Sequence, residues 1–366
     1  MSRPASLIPW DSNGTNSTQP PGGYQTDGWT LGDAAVSAYD NYMKSHFCDW
    51  LGHLRDYTIS LALSSWAEVA TSGAIAHASG DFDHEQNALV CDGTNCHYSV
   101  DGGQTWTSYG YSNDIVAHDR AGVWLGYIGA NDVAKATAAP TSAGAWSLVA
   151  TGATSINTQI GYVCVCDDLK HLNGAWWLVG YGSTTGNPGV VLKSVDDGAT
   201  WARETGYNTS SSRLKGISYG GGVLVVVGYI TTGPTGEAAY STDNGVTWTA
   251  GSVAGSPTQF NAVDYGAGVF VAVGEGGEIQ YSSNGATWAQ ATADAGYSSG
   301  FNDVRFEFGV FVAVGDGGEV QTSFDGITWK RRASSTTDDL LSVAIDPANG
   351  QAIAGKTGKV QISLDV

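Results

Sequence analysis

The chain has 366 residues, is rich in glycine (51) and tryptophan (13), and has only 14% charged residues. Its 16 Lys and Arg against 35 Asp and Glu give a formal net charge of −19, which argues against nucleic acid as a partner, because phosphate binding needs clustered basic side chains. No apolar run is long enough to cross a bilayer and no basic-plus-apolar leader is apparent, so neither membrane insertion nor classical secretion is expected.

The first 61 residues differ in composition from the rest of the chain. Residues 1–32 are rich in Pro, Gly, Ser and Thr and are predicted to form an extended arm or linker. Residues 33–61 are predicted to form an amphipathic helix, the only helix expected, with Asp33 as its N-cap. Its apolar stripe at spacings of three and four consists of Val36, Tyr39, Met43, Phe47, Trp50, Leu54 and Tyr57. The stripe favours attachment or self-association, with a trimer preferred, over packing against the rest of the chain.

One short phrase recurs five times in the remainder of the chain, at residues 99–106, 194–201, 241–248, 282–288 and 323–329. Each copy contains Asp or Asn near Gly, which predicts a hairpin turn, and ends in a Trp that begins the next strand. The defining residues are Ser99, Asp101, Trp106, Ser194, Asp196, Trp201, Ser241, Asp243, Trp248, Ser282, Asn284, Trp288, Ser323, Asp325 and Trp329. A degenerate copy ends at Trp146.

Four short β runs surround each phrase, and units of this kind recur at about 40 to 55 residues, which is typical of β-propeller blades. The sequence therefore predicts an all-β, seven-bladed propeller of four-stranded antiparallel blades over residues 64–366. The last unit lacks its Trp strand. Residues 64–71, which contain an isolated Trp66, are expected to supply that strand and close the ring without an open sheet edge.

The cysteines do not suggest a disulfide scaffold. Cys164 and Cys166 are two apart on a predicted strand and are expected to share one face as small core residues. Cys91 and Cys96 flank a predicted turn, where either a disulfide or a pair of free thiols is compatible with the sequence.

The repeated phrase resembles the Asp box, or BNR repeat, of sialidases, photosystem II assembly propellers, sortilin-type receptors and some phage proteins. The resemblance covers residues 64–366. It implies that the boxes are structural and lie on the propeller face away from the ligand site.

The N-terminal segment resembles that of tailed-phage tail and fibre proteins. The matching residues are Pro9-Trp10, Pro20-Pro21, Gly28-Trp29, Gly32-Asp33 and Trp50-Leu51. The resemblance departs at residues 34–38, where that pattern usually carries Pro and another Trp or Asn. It implies attachment to other virion tail proteins through residues 1–60, in a virion made in the bacterial host cytoplasm.

Catalytic signals are weak. The sequence lacks the Arg-Ile-Pro motif of Asp-box sialidases, and Arg331-Arg332 follow a box on an outer strand. No metal-ligand spacing, phosphate loop or nucleophile motif is present, so no catalytic residue, metal or cofactor is predicted. A glycan-degrading enzyme stays open as an alternative, because acidic residues are plentiful and two carboxylates suffice for glycoside hydrolysis.

Binding is the favoured activity. Three predicted interblade loops share a Gly-Tyr step, and Tyr rings near Asn, Asp and Arg suit a sugar surface. The candidate ligand-binding residues are Tyr109, Tyr111, Asp114, Tyr207, Asn208, Arg213 and Tyr297. The loops 182–189 and 230–237 are further candidates because of their length. The alternative is that these tyrosines only cover the neighbouring blade.

The predicted function is therefore that of a phage virion protein. It would be a tail-fibre, receptor-binding or tail-tip component that adheres to a host surface glycan through the propeller face opposite the Asp boxes. An architectural decoration or adaptor protein without a host ligand is the first alternative.

Overall fold

The computed structural model describes residues 66–69, 79–83, 87–92, 94–102, 105–128, 132–150, 155–161, 163–183, 188–207, 212–233, 235–293, 297–334, 336–345, 352–356 and 359–363. All of them belong to one compact unit, residues 56–366. The predicted arm and amphipathic helix lie outside the described residues, as does Asn208. No helix among the described residues is long and apolar enough to cross a membrane.

In the described part of the chain, strands form seven four-stranded antiparallel sheets, six of which use four consecutive strands. Three of these contain β2 (Ser79–Phe82), β3 (Ala88–Cys91), β4 (Asn95–Ser99) and β5 (Thr107–Gly110); β6 (Ile115–His118), β7 (Trp124–Ile128), β8 (Asp132–Ala136) and β9 (Ser147–Ala150); and β10 (Cys164–Leu172), β11 (Ala175–Gly182), β12 (Gly189–Ser194) and β13 (Ala202–Arg203). The other three contain β14 (Ser212–Gly220), β15 (Val223–Ile230), β16 (Thr235–Ser241) and β17 (Thr249–Ala250); β18 (Phe260–Gly266), β19 (Val269–Gly274), β20 (Ile279–Ser282) and β21 (Ala289–Gln290); and β22 (Phe301–Glu307), β23 (Val310–Gly315), β24 (Val320–Ser323) and β25 (Lys330–Arg332).

The remaining sheet is composite. It joins β1 (Trp66–Val69) to β26 (Leu340–Ile345), β27 (Ala352–Lys356) and β28 (Lys359–Ser363), in the order β1-β28-β27-β26. Trp66 pairs with Ser363 and Val69 with Val360, so the predicted pairing of the early strand with the C-terminal unit is present. The first strands of successive sheets contact one another, and β26 contacts both β22 and β2. The architecture is an all-β propeller with six contiguous blades and this composite sheet.

The buried second strands of the six contiguous blades explain the packing between those blades. β23 reads VFVAVG and is buried along its whole length, as expected for a strand covered by a neighbouring sheet on each face. The largest fully buried side chains are Trp124, Trp176, Trp177, Trp329, Phe82, Phe260, Phe270, Phe301 and Phe311. The core therefore lies between the blades.

Each Asp box forms a self-contained hydrogen-bonded turn. In the second box, Thr200 donates its backbone N–H and its hydroxyl to the Asp196 carboxylate at 2.8 and 2.6 Å. Ser194 donates its hydroxyl to the same carboxylate at 2.8 Å, and Gly198 supplies a positive φ of 82°. The Trp201 indole N–H closes the turn on the Gly198 carbonyl at 2.9 Å. These contacts give the box a structural role, with every polar group of the Asp used inside the turn.

The structure adds two features to the sequence prediction. A five-residue helix, α1 (Ile156–Ile160), ends at Gly161 with φ 81°. The expectation that the N-terminal helix is the only one is therefore wrong. The sequence did not indicate α1, because one helical turn is too short to give a periodic pattern. Cys91 and Cys96 form a disulfide across the β3–β4 hairpin, which resolves the alternative left open by their spacing.

Carboxylates on the first strands connect neighbouring blades. Asp264 on β18 accepts the backbone N–H of Phe306 on β22 at 2.8 Å and the Ser218 hydroxyl on β14 at 3.1 Å. The same arrangement links three further pairs of first strands. In each pair, a backbone N–H of the second strand donates to a carboxylate of the first: His118 to Asp81 (2.9 Å), Ile217 to Asp168 (3.0 Å) and Val343 to Asp303 (3.0 Å). The strands that line the centre of the propeller are therefore held together by side chain to backbone bonds.

We expect β28 to behave as an internal strand because β1 covers its outer side. Gln361 pairs with both Glu68 and Ala354, and the N–H groups of adjacent residues point to opposite neighbours. Gln361→Pro and Ile362→Pro should therefore each remove a ladder bond and lower the free energy of unfolding by about 3 kcal/mol. Denaturant melts of both variants test this.

The matched controls are Gln361→Thr and Ile362→Val, which keep the N–H groups and should cost less than about 1 kcal/mol. Tolerance of one of the two prolines would mean that β28 has a free edge, and the closure by residues 66–69 would be wrong.

Candidate binding face

The first strands of the blades begin on the face opposite the Asp boxes. Asn173, in the turn between β10 and β11, donates to Asn244 in an Asp box at 3.2 Å, so the ends of the first strands lie on the box side. The starts of these strands, the interblade connections and the loops between second and third strands consequently share the other side. We call this side the upper face and the opposite side the Asp-box face.

A cavity of about 290 Å³ opens among the starts of the first strands on the upper face. We call it the upper cavity. Its charged lining residues are Asp114, Asp167, Asp168, Lys170, Lys215, Asp303 and Arg305. Both signs of charge are present, together with the amides of Asn261 and Asn302. The cavity is therefore suited to a polar ligand with several hydrogen-bonding groups.

Asp167 and Lys215 form the clearest ion pair of the upper cavity, with the ammonium 2.7 Å from Oδ1. Burial raises the pKa of Asp167, although Lys215 and Arg213 oppose the shift. Its Oδ2 is buried and has no hydrogen-bond partner among the described residues. Lys215 therefore fixes one carboxylate oxygen, while the other can still accept a hydrogen bond.

Lys170 and Arg305 separate the upper cavity from a second cavity of about 240 Å³ on the Asp-box side, since both residues line both cavities. Lys170 donates to the Val263 carbonyl at 3.0 Å and lies 3.7 Å from the Asp264 carboxylate. Burial opposes the charge of Arg305, but Asp303 and three more distant carboxylates raise its pKa above the ordinary value. The centre of the propeller thus contains two basic side chains held among carboxylates.

The cavity on the Asp-box side is crossed by Arg120. One of its terminal nitrogens lies 3.2 Å from both the Asp81 and the Glu307 carboxylates, which belong to different blades. Burial raises the pKa of Glu307 to about 7, against the opposing effect of Arg120. The charge of this link therefore changes near neutral pH.

A cluster of aromatic, aliphatic and arginine side chains lies on the upper face beside the upper cavity. We define the upper patch as Val163, Val165, Tyr181, Arg213 and Tyr229. Val165 pairs with Tyr181 across β10 and β11, and Arg213 pairs with Tyr229 across β14 and β15. The patch thus joins two adjacent blades.

The Arg213 guanidinium binds the two halves of the patch together. Its central carbon lies 4.2 Å from the Tyr181 ring centroid, a cation–π distance, and one terminal nitrogen is 3.5 Å from the Tyr229 hydroxyl. Val163 and Val165 are 50% and 39% exposed. The two tyrosines and the arginine are residue types that are enriched in binding hot spots.

Arg213 and Asp114, both predicted from the sequence, lie in this region, Arg213 in the upper patch and Asp114 in the lining of the upper cavity. The sequence analysis missed Tyr181, Tyr229 and the two valines. Their residue types were visible, but their proximity depends on the register between strands and on the contact between two blades.

The four predicted ligand tyrosines each have partners inside the protein. Tyr111 stacks on Trp146 with centroids 5.6 Å apart. Tyr109 donates to the Pro140 carbonyl and accepts from the Trp146 indole at 3.0 Å, and burial raises its pKa to about 12. Both therefore pack on the following blade.

Tyr207 and Tyr297 are placed similarly. Tyr207 is only 3% exposed and packs edge-on against Trp248, while Tyr297 packs against Phe301 and donates to the Gly300 carbonyl at 2.6 Å. A ligand role for these four tyrosines stays a prediction, and their contacts favour the covering role that the sequence left open.

Neither cavity is lined by a cluster of three arginines. Of the described arginines, Arg120 and Arg305 line the cavity on the Asp-box side, and Arg305 alone lines the upper cavity. The described part of the chain also contains no group of three or more His, Cys, Asp or Glu side chains that could hold a metal ion.

Comparisons with known proteins agree with the fold. The BNR/Asp-box repeat family model matches residues 239–250, which contain the third box. No curated protein matches the chain. A solved structure described as "YCF48 bound to D1 peptide" is similar with a TM-score of 0.59 and 15% sequence identity, over 82% of this chain and 94% of that chain. At this identity the similarity shows the fold alone, a β-propeller with an Asp-box repeat.

The raised pKa of Glu307 predicts a pH-dependent stability. The folded protein holds a proton on Glu307 up to about pH 7, whereas the unfolded chain releases it near the ordinary value of about 4.3. The folded state therefore binds more protons between these values, and its stability falls as the pH rises through this window. Glu307→Gln should remove this part of the dependence, measured as melting temperature from pH 4.5 to 8.

Arg120→Met provides the second comparison. Because Arg120 favours the charged carboxylate, its loss should move the window to higher pH. Parallel pH curves for the wild type and Glu307→Gln would contradict the assignment.

Proposed function

We propose that this protein is a virion structural component of a tailed phage that adheres to a host surface glycan through the upper face of its propeller. The observation that carries the proposal is the upper patch beside an open polar cavity. Tyr181 and Tyr229 are half-buried, and each can present part of a ring to an apolar sugar face. The charged and amide groups of the cavity match hydroxyl groups, which need short polar partners.

The virion part of the proposal is supported by the sequence of residues 1–60. Their resemblance to tail and fibre proteins favours attachment to other virion tail proteins, and the apolar stripe of the predicted helix favours a homo-oligomer, with a trimer preferred. We further propose that the composite sheet is the seventh blade. Its first strand contacts those of both neighbouring sheets, as a closed ring requires.

Peptide binding is the second candidate function. The two exposed valines of the upper patch offer an apolar surface that a sugar does not need. In addition, the similar propeller YCF48 is described as bound to the D1 peptide. In this case the partner would be an extended segment of a neighbouring protein, and the propeller would act as an adaptor.

The test is a binding assay of the full-length protein with polysaccharide extracted from the host envelope. The double variant Tyr181→Ala/Arg213→Ala should bind at least about tenfold more weakly, because it removes two central contacts of the patch. Val195→Ala is the matched control, since Val195 is 76% exposed in an Asp box on the other face. It should leave binding unchanged.

Three other outcomes would contradict the proposal. Equal loss in both variants would place the ligand elsewhere. Shortening of the polysaccharide would make the protein an enzyme. Absence of glycan binding, together with retention of a virion protein that depends on Tyr181 and Arg213, would establish the adaptor function instead.

A further inference from the structure

A further cavity, of about 420 Å³, lies at the outer strands of the blade that contains β14 to β17. We call it the edge pocket. It shares no lining residue with the upper cavity or with the upper patch. Tyr207 lines it together with Ile230 and Glu237, which belong to the loop 230–237. Two ligand candidates that the sequence analysis selected separately therefore meet at one cavity.

Small side chains make room for the edge pocket. Ala238 and Ala239 line it and precede the box residue Ser241 by three and two positions. The other four boxes have larger side chains at these two positions, namely Cys96-His97, Val191-Leu192, Ile279-Gln280 and Val320-Gln321. In the next blade, Gln280 uses this space to donate to the Ala254 carbonyl at 2.8 Å and to accept the Ala254 N–H at 3.0 Å. The pocket thus lies where this blade lacks side-chain volume that the others have.

Two aromatic rings form walls of the edge pocket. Tyr207 packs edge-on against Trp248, with ring centroids 6.0 Å apart, and both residues line the cavity. Trp248 is half-buried, and its indole N–H is bonded to the Gly245 carbonyl at 2.9 Å. The ring is therefore held in one orientation. Tryptophan is also the side chain that attracts cations most strongly through its ring face.

Glu237 is the only acidic or basic side chain among the described residues that line the edge pocket. It is half-buried and accepts the Tyr207 hydroxyl at 3.3 Å. Burial raises the pKa of Glu237, and only the hydroxyls of Ser212 and Tyr207 oppose the shift, with no contribution from a described basic side chain. A carboxylate that is taken out of water without a cationic partner is costly. A cation from solution would offset that cost.

We propose that the edge pocket binds a small organic cation, an alkylammonium ion whose nitrogen lies at Glu237 and whose carbon chain lies against Trp248 and Ala239. The ammonium donates charge-assisted hydrogen bonds to the carboxylate, and the indole ring attracts the same charge. The apolar lining accommodates the carbon chain. The net charge of −19 raises the local concentration of cations around the protein. This site is independent of the glycan function proposed for the upper face.

The test is a titration of the full-length protein with n-butylammonium, followed by saturation-transfer NMR. The neutral comparison is 1-butanol, which has the same number of heavy atoms. The ammonium ion should bind at least about tenfold more tightly than the alcohol. Its affinity should fall as the pH is lowered through the raised pKa of Glu237, because the carboxylate becomes neutral while the amine stays charged.

Glu237→Gln should weaken butylammonium binding about tenfold and remove its pH dependence, because it removes the charge and keeps the shape. Glu204→Gln is the matched control. Glu204 is also a half-buried glutamate whose pKa burial raises, but it does not line the pocket. This control changes the net charge equally and should leave binding unchanged.

Ala239→Leu tests the location by copying Leu192 of the preceding blade. It should fill the cavity and weaken butylammonium binding at least about tenfold. Thermal melts of all variants check that they are folded. The proposal would be overturned if butylammonium did not bind, if butanol bound as tightly, or if the two glutamine variants behaved alike.

Discussion

The fold depends on carboxylates that reach from the first strand of one blade to the backbone of the next. Such a bond satisfies a half-buried carboxylate and a backbone N–H at the same time, and each would be costly without its partner. Asp264 is the most connected of them, because it links three blades through Phe306 and Ser218. The apolar core packs the blades, but these bonds determine how the first strands are aligned around the centre.

This alignment determines the electrostatics of the centre. Lys170 and Arg305 lie among these carboxylates, between the two cavities. The same alignment brings β10 and β14 together on the upper face, so that Arg213 can stack on Tyr181. The proposed ligand site is a consequence of the contact between these two blades.

The sequence predicted the features that leave a recognisable pattern in a short stretch of residues. The Asp boxes, the four-stranded units and the return of residues 66–69 to the C-terminal unit follow from turn chemistry, apolar runs and an isolated Trp. The upper patch could not be predicted in the same way, because Tyr181 and Arg213 are separated in the chain and meet only through interblade contact. The surroundings of Tyr207 depend on tertiary contacts in the same way. Its Gly-Tyr step was compatible with a ligand surface or with cover for the neighbouring blade, and packing against Trp248 leaves the residue 3% exposed.

Native-state hydrogen exchange in Asp264→Ala is the most direct test of the role assigned to the inner carboxylates. The variant removes the acceptor of Phe306 N–H and leaves Lys170 with one fewer partner. We expect faster exchange at Phe306 and a loss of about 3 kcal/mol in unfolding free energy. Asp197→Ala is the control, because its ion pair with Lys135 lies at the surface and should be worth less than about 1 kcal/mol. Unchanged protection at Phe306 and equal stability of the two variants would contradict the account.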